Sequence, residues 1–121
     1  MNDKIKKKEL FDKGIKFYKM GDYFEAHEYW EELWSDFYLE DRKFIQGLIQ
    51  LAVSFVHLHN GNMIGAKNLL RKSREKFQAF SGIHRDININ FLLYQIKKVG
   101  EFYDKVGDPK LFDWTLVPTL R

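Results

Sequence analysis

Residues 47–58 are GLIQLAVSFVHL, and this stretch decides the fold because it is apolar on almost every side. As part of a helix over residues 41–59, at about 3.6 residues per turn, it places apolar side chains around most of the circumference. These side chains are Ile45, Leu48, Ile49, Leu51, Ala52, Phe55, Val56 and Leu58. A helix that is apolar nearly all round has neighbours on several sides. The sequence therefore predicts a helical array with this helix at its centre.

Two similar stretches, one on each side of the central helix, predict helix hairpins. MGDYFEA at residues 20–26 and NGNMIGA at residues 60–66 share a glycine, a short polar residue and an alanine at the same spacing. The polar residue, Asp22 or Asn62, is suited to cap a new helix because its side-chain oxygen accepts from free backbone N–H groups. The small alanine lets the two helices approach closely. Two antiparallel hairpins of this kind weakly resemble tetratricopeptide units, which repeat about every 34 residues.

Helical periodicity continues along most of the chain, and glycine marks the breaks at Gly21, Gly61 and Gly82. We expect five helices, near residues 4–20, 22–38, 41–59, 62–80 and 88–106. The expected fold class is all-α, a compact single domain over residues 1–121 with its helical core over residues 4–106. The irregular tail that follows, residues 107–121, is too apolar to remain in water, so we expect it to dock on its own domain or on a partner.

Composition narrows the class of protein. The chain has 121 residues, enough for one core, and its 45% apolar and 17% aromatic content is too rich for disorder. Because cysteine is absent, disulfides and thiolate metal sites are excluded. The charged N-terminus does not continue into a secretory signal, and the apolar run at residues 47–58 is too short to span a bilayer. We therefore expect a cytoplasmic protein that does not enter the membrane.

The net charge of +3 conceals a division along the chain. Residues 22–41 contain eight acidic side chains and no Lys or Arg, whereas residues 42–80 contain seven basic side chains and one acidic one. This pattern indicates attraction between helices within the fold or between copies of the chain. Lysines are dense only near the N-terminus, at Lys4, Lys6, Lys7 and Lys8. A nucleic-acid surface is therefore not expected.

His27 lies in a row of aromatic residues on the second predicted helix, with Tyr23, Trp30, Trp34 and Phe37. A zinc-protease helix would need a second histidine four residues on, where this chain has a glutamate, so a peptidase is not expected. One interpretation is a buried histidine that hydrogen-bonds a carboxylate or a glutamine of a neighbouring helix and fixes its register. Another is a functional residue in a pocket.

The pocket interpretation joins two polar stripes. One is the strip of Gln46, Gln50 and His57 on the central helix, and the other, with His27 and Glu31, is on the preceding helix. For the first strip, simple solvent exposure is an equally good interpretation. The candidate ligand-binding residues are His27, Glu28, Glu31, Trp34, Gln46, Gln50 and His57. No cofactor is identified, but His27, Glu31 and His57 are candidate ligands for a divalent metal. His59 and His84, near helix ends, are expected at the surface.

Three functions follow from these features. The leading hypothesis is a non-enzymatic module that binds a protein or a ligand, with a small polar pocket between the second and third helices. The alternative is a small metal-dependent or acid–base enzyme, hydrolase-like, that uses His27, Glu31 and His57. A third is a scaffold that assembles copies of itself through its acidic and basic helices.

Three ordered motifs resemble one known family. They are EAHEYWEELW at residues 25–34, GLIQLA at residues 47–52 and GNMIGA at residues 61–66. They are similar to the signature of domain-of-unknown-function family 309, and the likeness extends over about residues 11–80. The resemblance implies a small all-helical protein and implies no particular activity.

Overall fold

A computed structural model describes residues 2–121 and confirms the all-α class. Its helices are α1 (Asp3–Lys19), α2 (Tyr23–Asp36), α3 (Arg42–His59), α4 (Met63–Phe77) and α5 (Ile89–Val106). All five predicted helices are present, and the largest differences lie at the C-terminal ends of α2 and α4, which stop two and three residues early. An antiparallel pair of short strands, β1 (Ile83–His84) and β2 (Ile87–Asn88), is an addition that the sequence does not predict.

The two hairpin turns have the same hydrogen bonds, as their sequences predict. The backbone N–H of Asp22 donates to the carbonyl of Phe17 at 2.9 Å, and that of Asn62 donates to the carbonyl of His57 at 2.8 Å. Each of the two polar residues then caps the following helix, because its Oδ1 accepts from a backbone N–H three residues on. The turn between α1 and α2 is thus repeated between α3 and α4.

Glycine and alanine have the roles expected at these turns. Gly21 and Gly61 have φ angles of 81° and 76°, a left-handed backbone that glycine adopts without steric cost. Ala26 and Ala66 are fully buried, so the second helix of each hairpin lies close to its neighbours. In both turns, the backbone conformation therefore favours glycine, and the close packing of the helix that follows favours alanine.

The helix α3 is central, as predicted. It packs against α2 and against α4, while α1 packs on α2 and α5 packs on α4. Its buried residues come from most of its circumference: Phe44, Ile45, Gly47, Leu48, Ile49, Leu51, Ala52, Ser54, Phe55 and Leu58. In the part of the chain that the structure describes, no helix is both long and apolar enough to cross a membrane.

The close contact between α1 and α2 depends on Trp30 and Gly14. Trp30 is fully buried, and its Nε1 donates to the carbonyl of Phe11 at 3.2 Å. A Cβ atom at Gly14 would lie 2.0 Å from that Nε1, a distance at which atoms overlap. The indole ring therefore occupies the space that a side chain at Gly14 would need.

The buried face of α2 is rotated relative to the predicted aromatic stripe. The residues buried on this helix are Tyr23, Ala26, Trp30 and Leu33. His27 and Trp34, which the stripe includes, are half-buried at its margin. Since Ala26 and Leu33 fill the core, His27 is not one of its fully buried residues.

The C-terminal tail docks on its own domain, which was one of its two expected positions. Phe112 is 6% exposed, and its ring packs against Phe55 and Tyr103. The buried hydroxyl of Tyr18 donates to the carbonyl of Pro118 at 2.8 Å, which fixes the tail to α1. The tail also has more local order than its sequence predicts, because residues 109–111 and 114–116 form short 3-10 turns.

The carboxylates of the acidic segment, residues 22–41, are not paired with Lys or Arg side chains of the basic helices in the part of the chain that the structure describes. Within residues 2–121, no carboxylate between Asp22 and Glu40 lies within 4.0 Å of a Lys or Arg nitrogen. Ion pairing within the fold therefore does not explain the charge division. Association between copies stays a prediction.

Candidate binding site on α2 and α3

Trp34, in the last turn of α2, is held by Arg42, the first residue of α3. The Cζ of Arg42 lies 4.1 Å from the centre of the Trp34 ring, and Nη1 donates to the Trp34 carbonyl at 3.0 Å. The guanidinium therefore stacks on the indole and satisfies a carbonyl left free at the end of the helix. These two contacts fix the indole plane. Its Nε1 is buried, and no group of residues 2–121 accepts a hydrogen bond from it.

Gln50 lies in the middle of α3, on the polar strip. All three residues of that strip, Gln46, Gln50 and His57, are half-buried. The side-chain oxygen of Gln50 is nevertheless fully buried, and no donor in the described residues reaches it. An unpaired buried polar group costs about 1–3 kcal/mol. The two helices that pack together thus present one unpaired donor, on Trp34, and one unpaired acceptor, on Gln50.

His27 makes its hydrogen bond within its own helix. Its Nδ1 lies 2.7 Å from the carbonyl oxygen of Phe24, and the two rings meet edge to face. The interpretation that His27 hydrogen-bonds a residue of a neighbouring helix is therefore wrong. Because a carbonyl only accepts, Nδ1 is the donor of this hydrogen bond, and in the neutral imidazole Nε2 is then the acceptor. That Nε2 lies 3.9 Å from Glu28 Oε1, and the side chain is 20% exposed. The ring is oriented by the helix backbone, with Nε2 left for another partner.

Glu28 and Glu31 are exposed residues of the acidic outer surface. They line a shallow cleft of about 390 Å³ together with other residues of α2, which are Glu25, Tyr29, Glu32, Ser35 and Asp36. Neither glutamate is paired with a Lys or Arg among residues 2–121. This cleft belongs to α2 alone, so it does not bring the two glutamates together with the candidate residues of α3.

His57 lies at the far end of the strip, beside α4. Its Nδ1 is 3.5 Å from Asn62 Nδ2, and a Cβ at Gly65 would meet its ring at 2.9 Å. Its environment is therefore the turn between α3 and α4. Among the residues that the structure describes, no three His, Asp or Glu side chains group closely enough to hold a metal ion.

Comparisons with known proteins find a family and a relative to which the chain is similar. The sequence model of a domain of unknown function, DUF309, matches residues 11–69. Over this span, just under half of its length, the chain is similar to the DUF309 family. A relative, the uncharacterised protein YpuF of Bacillus subtilis (strain 168), is 36% identical over 84 residues, which is 69% of this chain and 48% of YpuF. The chain thus spans about half the length of that relative. No solved structure matches the present chain.

The DUF309 span contains all seven candidate residues. It begins within α1 and ends within α4, so it includes the whole of the face that α2 and α3 share. The DUF309 match confirms the resemblance seen in the three motifs. Of those motif residues, Ala26 and Trp30 have clear packing roles, whereas Trp34 and Gln50 present polar atoms that the fold leaves unpaired.

One polar cluster outside the candidate set joins the DUF309 span to the strand pair. Asp41 Oδ2 accepts from His84 Nε2 at 2.8 Å and from Arg85 Nε at 2.5 Å, while its Oδ1 accepts from Arg85 Nη2 at 3.0 Å. Burial opposes ionisation of Asp41, but these hydrogen bonds outweigh it and hold the pKa of its carboxyl below the ordinary value. His84 is part-buried, so its expected surface position is wrong.

Few features of the sequence predict this cluster. The turn that connects β1 to β2 is formed by Arg85 and Asp86, with φ angles of 49° and 63°. Hairpin turns of this kind are usually signalled by Asn-Gly or Asp-Gly, which adopt positive φ readily. Only the alternation in IHRDIN, residues 83–88, could have indicated the strands.

Proposed function

We propose that this chain is a non-enzymatic helical binding module of the cytoplasm, and that its ligand site is the face shared by α2 and α3. One observation carries the proposal: Trp34 Nε1 and Gln50 Oε1 are buried and unpaired within residues 2–121. A fold that needed only packing at these positions would gain stability from apolar side chains there. Unpaired buried polar atoms on two helices that pack together, α2 and α3, are what a ligand with complementary polar groups would satisfy.

The chemistry of the two atoms defines the ligand. The indole of Trp34 needs an acceptor, and the side-chain oxygen of Gln50 needs a donor. A carboxamide or a peptide group has both, so an extended segment of a partner protein and a small amide are the ligands of this class. In its neutral form, His27 would accept a further hydrogen bond at Nε2, at the margin of the face.

Nuclear magnetic resonance of the indole N–H groups tests the proposal directly. The chain has three tryptophans, so a spectrum of ¹⁵N-labelled protein contains three indole signals, and the Trp34→Phe variant assigns one of them. We expect N-acetylglycine methylamide, a model of the peptide group, to shift the Trp34 signal and to leave those of Trp30 and Trp114 in place. Trp30 is the internal control, because its Nε1 already donates to Phe11.

The Gln50→Met variant should abolish that shift while the protein stays folded, since methionine has a similar shape and lacks the acceptor. A Trp34 signal that does not move would contradict the proposal. Equal movement of all three signals would contradict it as well, because it would indicate a general solvent effect.

His27 gives the enzymatic alternative its support. An imidazole held at Nδ1 by a carbonyl, with Nε2 free, has the orientation of many metal-binding and acid–base histidines. Native mass spectrometry of untagged protein, compared with its denatured mass, tests this alternative. A divalent ion bound to the wild type and lost from His27→Ala would favour it, whereas a mass without metal in both would favour the binding module. His27→Ala should change the unfolding free energy by less than about 1 kcal/mol, because its one protein hydrogen bond is local.

A further inference from the structure

A second cleft, of about 720 Å³, lies where the start of α1 meets Arg85 of the strand pair and Arg121. Its volume falls in the range of small-molecule sites. Five of the residues that line it are cationic and three are acidic. The cationic residues are Lys4, Lys7, Lys8, Arg85 and Arg121, and the acidic residues are Asp3, Asp12 and Asp86. The remaining lining residue is Phe11, whose ring is buried.

Two guanidinium groups share the ring of Phe11. The Cζ of Arg85 lies 4.6 Å from the ring centre, and that of Arg121 lies 4.9 Å from it. The Nε of Arg121 also donates to the carbonyl of Arg85 at 3.2 Å. Two positive groups are thus held against one apolar ring, where each raises the electrostatic cost of the other.

The two arginines differ in how far their charge is neutralised. Arg85 makes two hydrogen bonds to Asp41, at 2.5 Å and 3.0 Å, so its donors are largely occupied. Arg121 lies 3.6 Å from Asp12 and 4.0 Å from Asp86, distances too long for strong hydrogen bonds. Its Nη donors are therefore available to another acceptor.

The lysines add to the excess of positive charge. Lys4, Lys7 and Lys8 are spaced i, i+3 and i+4 on α1, so they occupy one face of the helix, where like charges destabilise each other. Lys8 is paired with Asp12 at 2.6 Å. In the described chain, no carboxylate lies within 4.0 Å of Lys4 or Lys7.

We infer that this cleft binds a small phosphorylated molecule with at least two phosphate groups. Phosphate oxygens match the planar fork of a guanidinium, and a second group lies within reach of the unpaired lysines. The acidic residues of the cleft offset only part of this charge, because Asp12 is shared between Lys8 at 2.6 Å and Arg121 at 3.6 Å, and the side chain of Asp86 is 87% exposed. The volume is large enough for a ligand the size of a nucleoside diphosphate. The DUF309 match covers Phe11 and Asp12 but neither the three lysines before them nor Arg85 and Arg121 after them, so most of this site lies outside the matched span.

Isothermal titration calorimetry of the full chain with inorganic pyrophosphate tests the inference. The Lys4→Gln/Lys7→Gln variant removes two unpaired charges of the cleft. The matched control is Lys16→Gln/Lys19→Gln, which removes two exposed lysines at the same spacing, from the other end of the same helix. We expect at least tenfold weaker binding in the first variant and less than a twofold change in the control. Arg121→Lys, which keeps the charge and loses the fork, should weaken binding several-fold.

Three outcomes would overturn the inference. No measurable heat with pyrophosphate at millimolar concentration would do so. Equal weakening in both lysine variants would do so too, because it would indicate diffuse attraction to the whole protein. Binding of single-stranded RNA without binding of pyrophosphate would replace the small molecule with a nucleic acid. Thermal melting of each variant shows that any loss occurs in folded protein.

Discussion

At the scale of one residue, Gln50 carries a polar atom that the fold does not satisfy. Its side-chain oxygen is buried without a donor in residues 2–121, whereas the neighbouring Gln46 has no such atom. We expect Gln50→Met to raise the free energy of unfolding by about 1 kcal/mol, because it removes an unpaired acceptor. Gln46→Met, the control one turn away, should change it by less than about 0.5 kcal/mol. Urea denaturation measures both, and a destabilised Gln50→Met variant would show that the oxygen is paired in solution.

Asp41 links the stability of the protein to pH. The pKa of its carboxyl is lowered in the folded state, so its contribution to stability is complete above the unfolded pKa and disappears as the pH falls through the folded one. At neutral pH we expect Asp41→Asn to cost about 1–3 kcal/mol, since it removes hydrogen bonds to charged partners. Below a pH of about 4, the ordinary pKa of Asp, the difference from wild type should shrink.

Denaturation across the acid range measures this difference, and Asp36→Asn is the control. Asp36 is exposed and unpaired in the described chain, so its substitution should have little effect at any pH. A constant gap between Asp41→Asn and wild type down to the lowest pH would contradict the proposed linkage.

At the scale of elements, two helical glycines are predicted to respond in opposite ways to the same substitution. A Cβ at Gly14 would overlap the indole of Trp30, at 2.0 Å, so Gly14→Ala should separate α1 from α2 and cost at least about 2 kcal/mol. A Cβ at Gly100 in α5 would meet Leu70 at 3.5 Å, an ordinary contact. Gly100→Ala should therefore stabilise the protein by about 0.5–1 kcal/mol through helix propensity. Thermal melting of the two variants compares them, and equal destabilisation would contradict the packing argument.

Local signals predict the elements better than the contacts among them. Asp22, Asn62 and the glycines before them fix where two helices begin, because capping and positive φ depend on a few adjacent residues. The rotation of α2 is not predicted so well: the large aromatic side chains suggest one stripe, but Ala26 is buried and His27 lies at the margin. Small residues at close helix contacts give a weaker hydrophobic signal than aromatic ones, even where they determine the packing.

Contacts between distant parts of the chain are even harder to predict. The sequence indicates that the apolar tail docks, yet the hydrogen bond from Tyr18 to Pro118 joins residues 100 positions apart. The cluster of Asp41, His84 and Arg85 likewise depends on a strand pair without the usual turn residues. Of the candidate site, the residue types are visible in the sequence, but the unpaired atoms of Trp34 and Gln50 are visible only in the fold.

At the scale of the whole molecule, the separated charges predict self-association that depends on salt. The carboxylates of α2 have no Lys or Arg partner within residues 2–121, and α4 exposes Lys72 and Arg74, which have no carboxylate partner there. We expect copies to associate at low ionic strength and to separate near 1 M salt, where the screening length falls to about 3 Å. Glu28→Lys/Glu32→Lys and Lys72→Glu/Arg74→Glu should each prevent association, and a mixture of the two should restore it by pairing reversed surfaces. Sedimentation velocity measures this, and association that is insensitive to salt would exclude an electrostatic interface between α2 and α4.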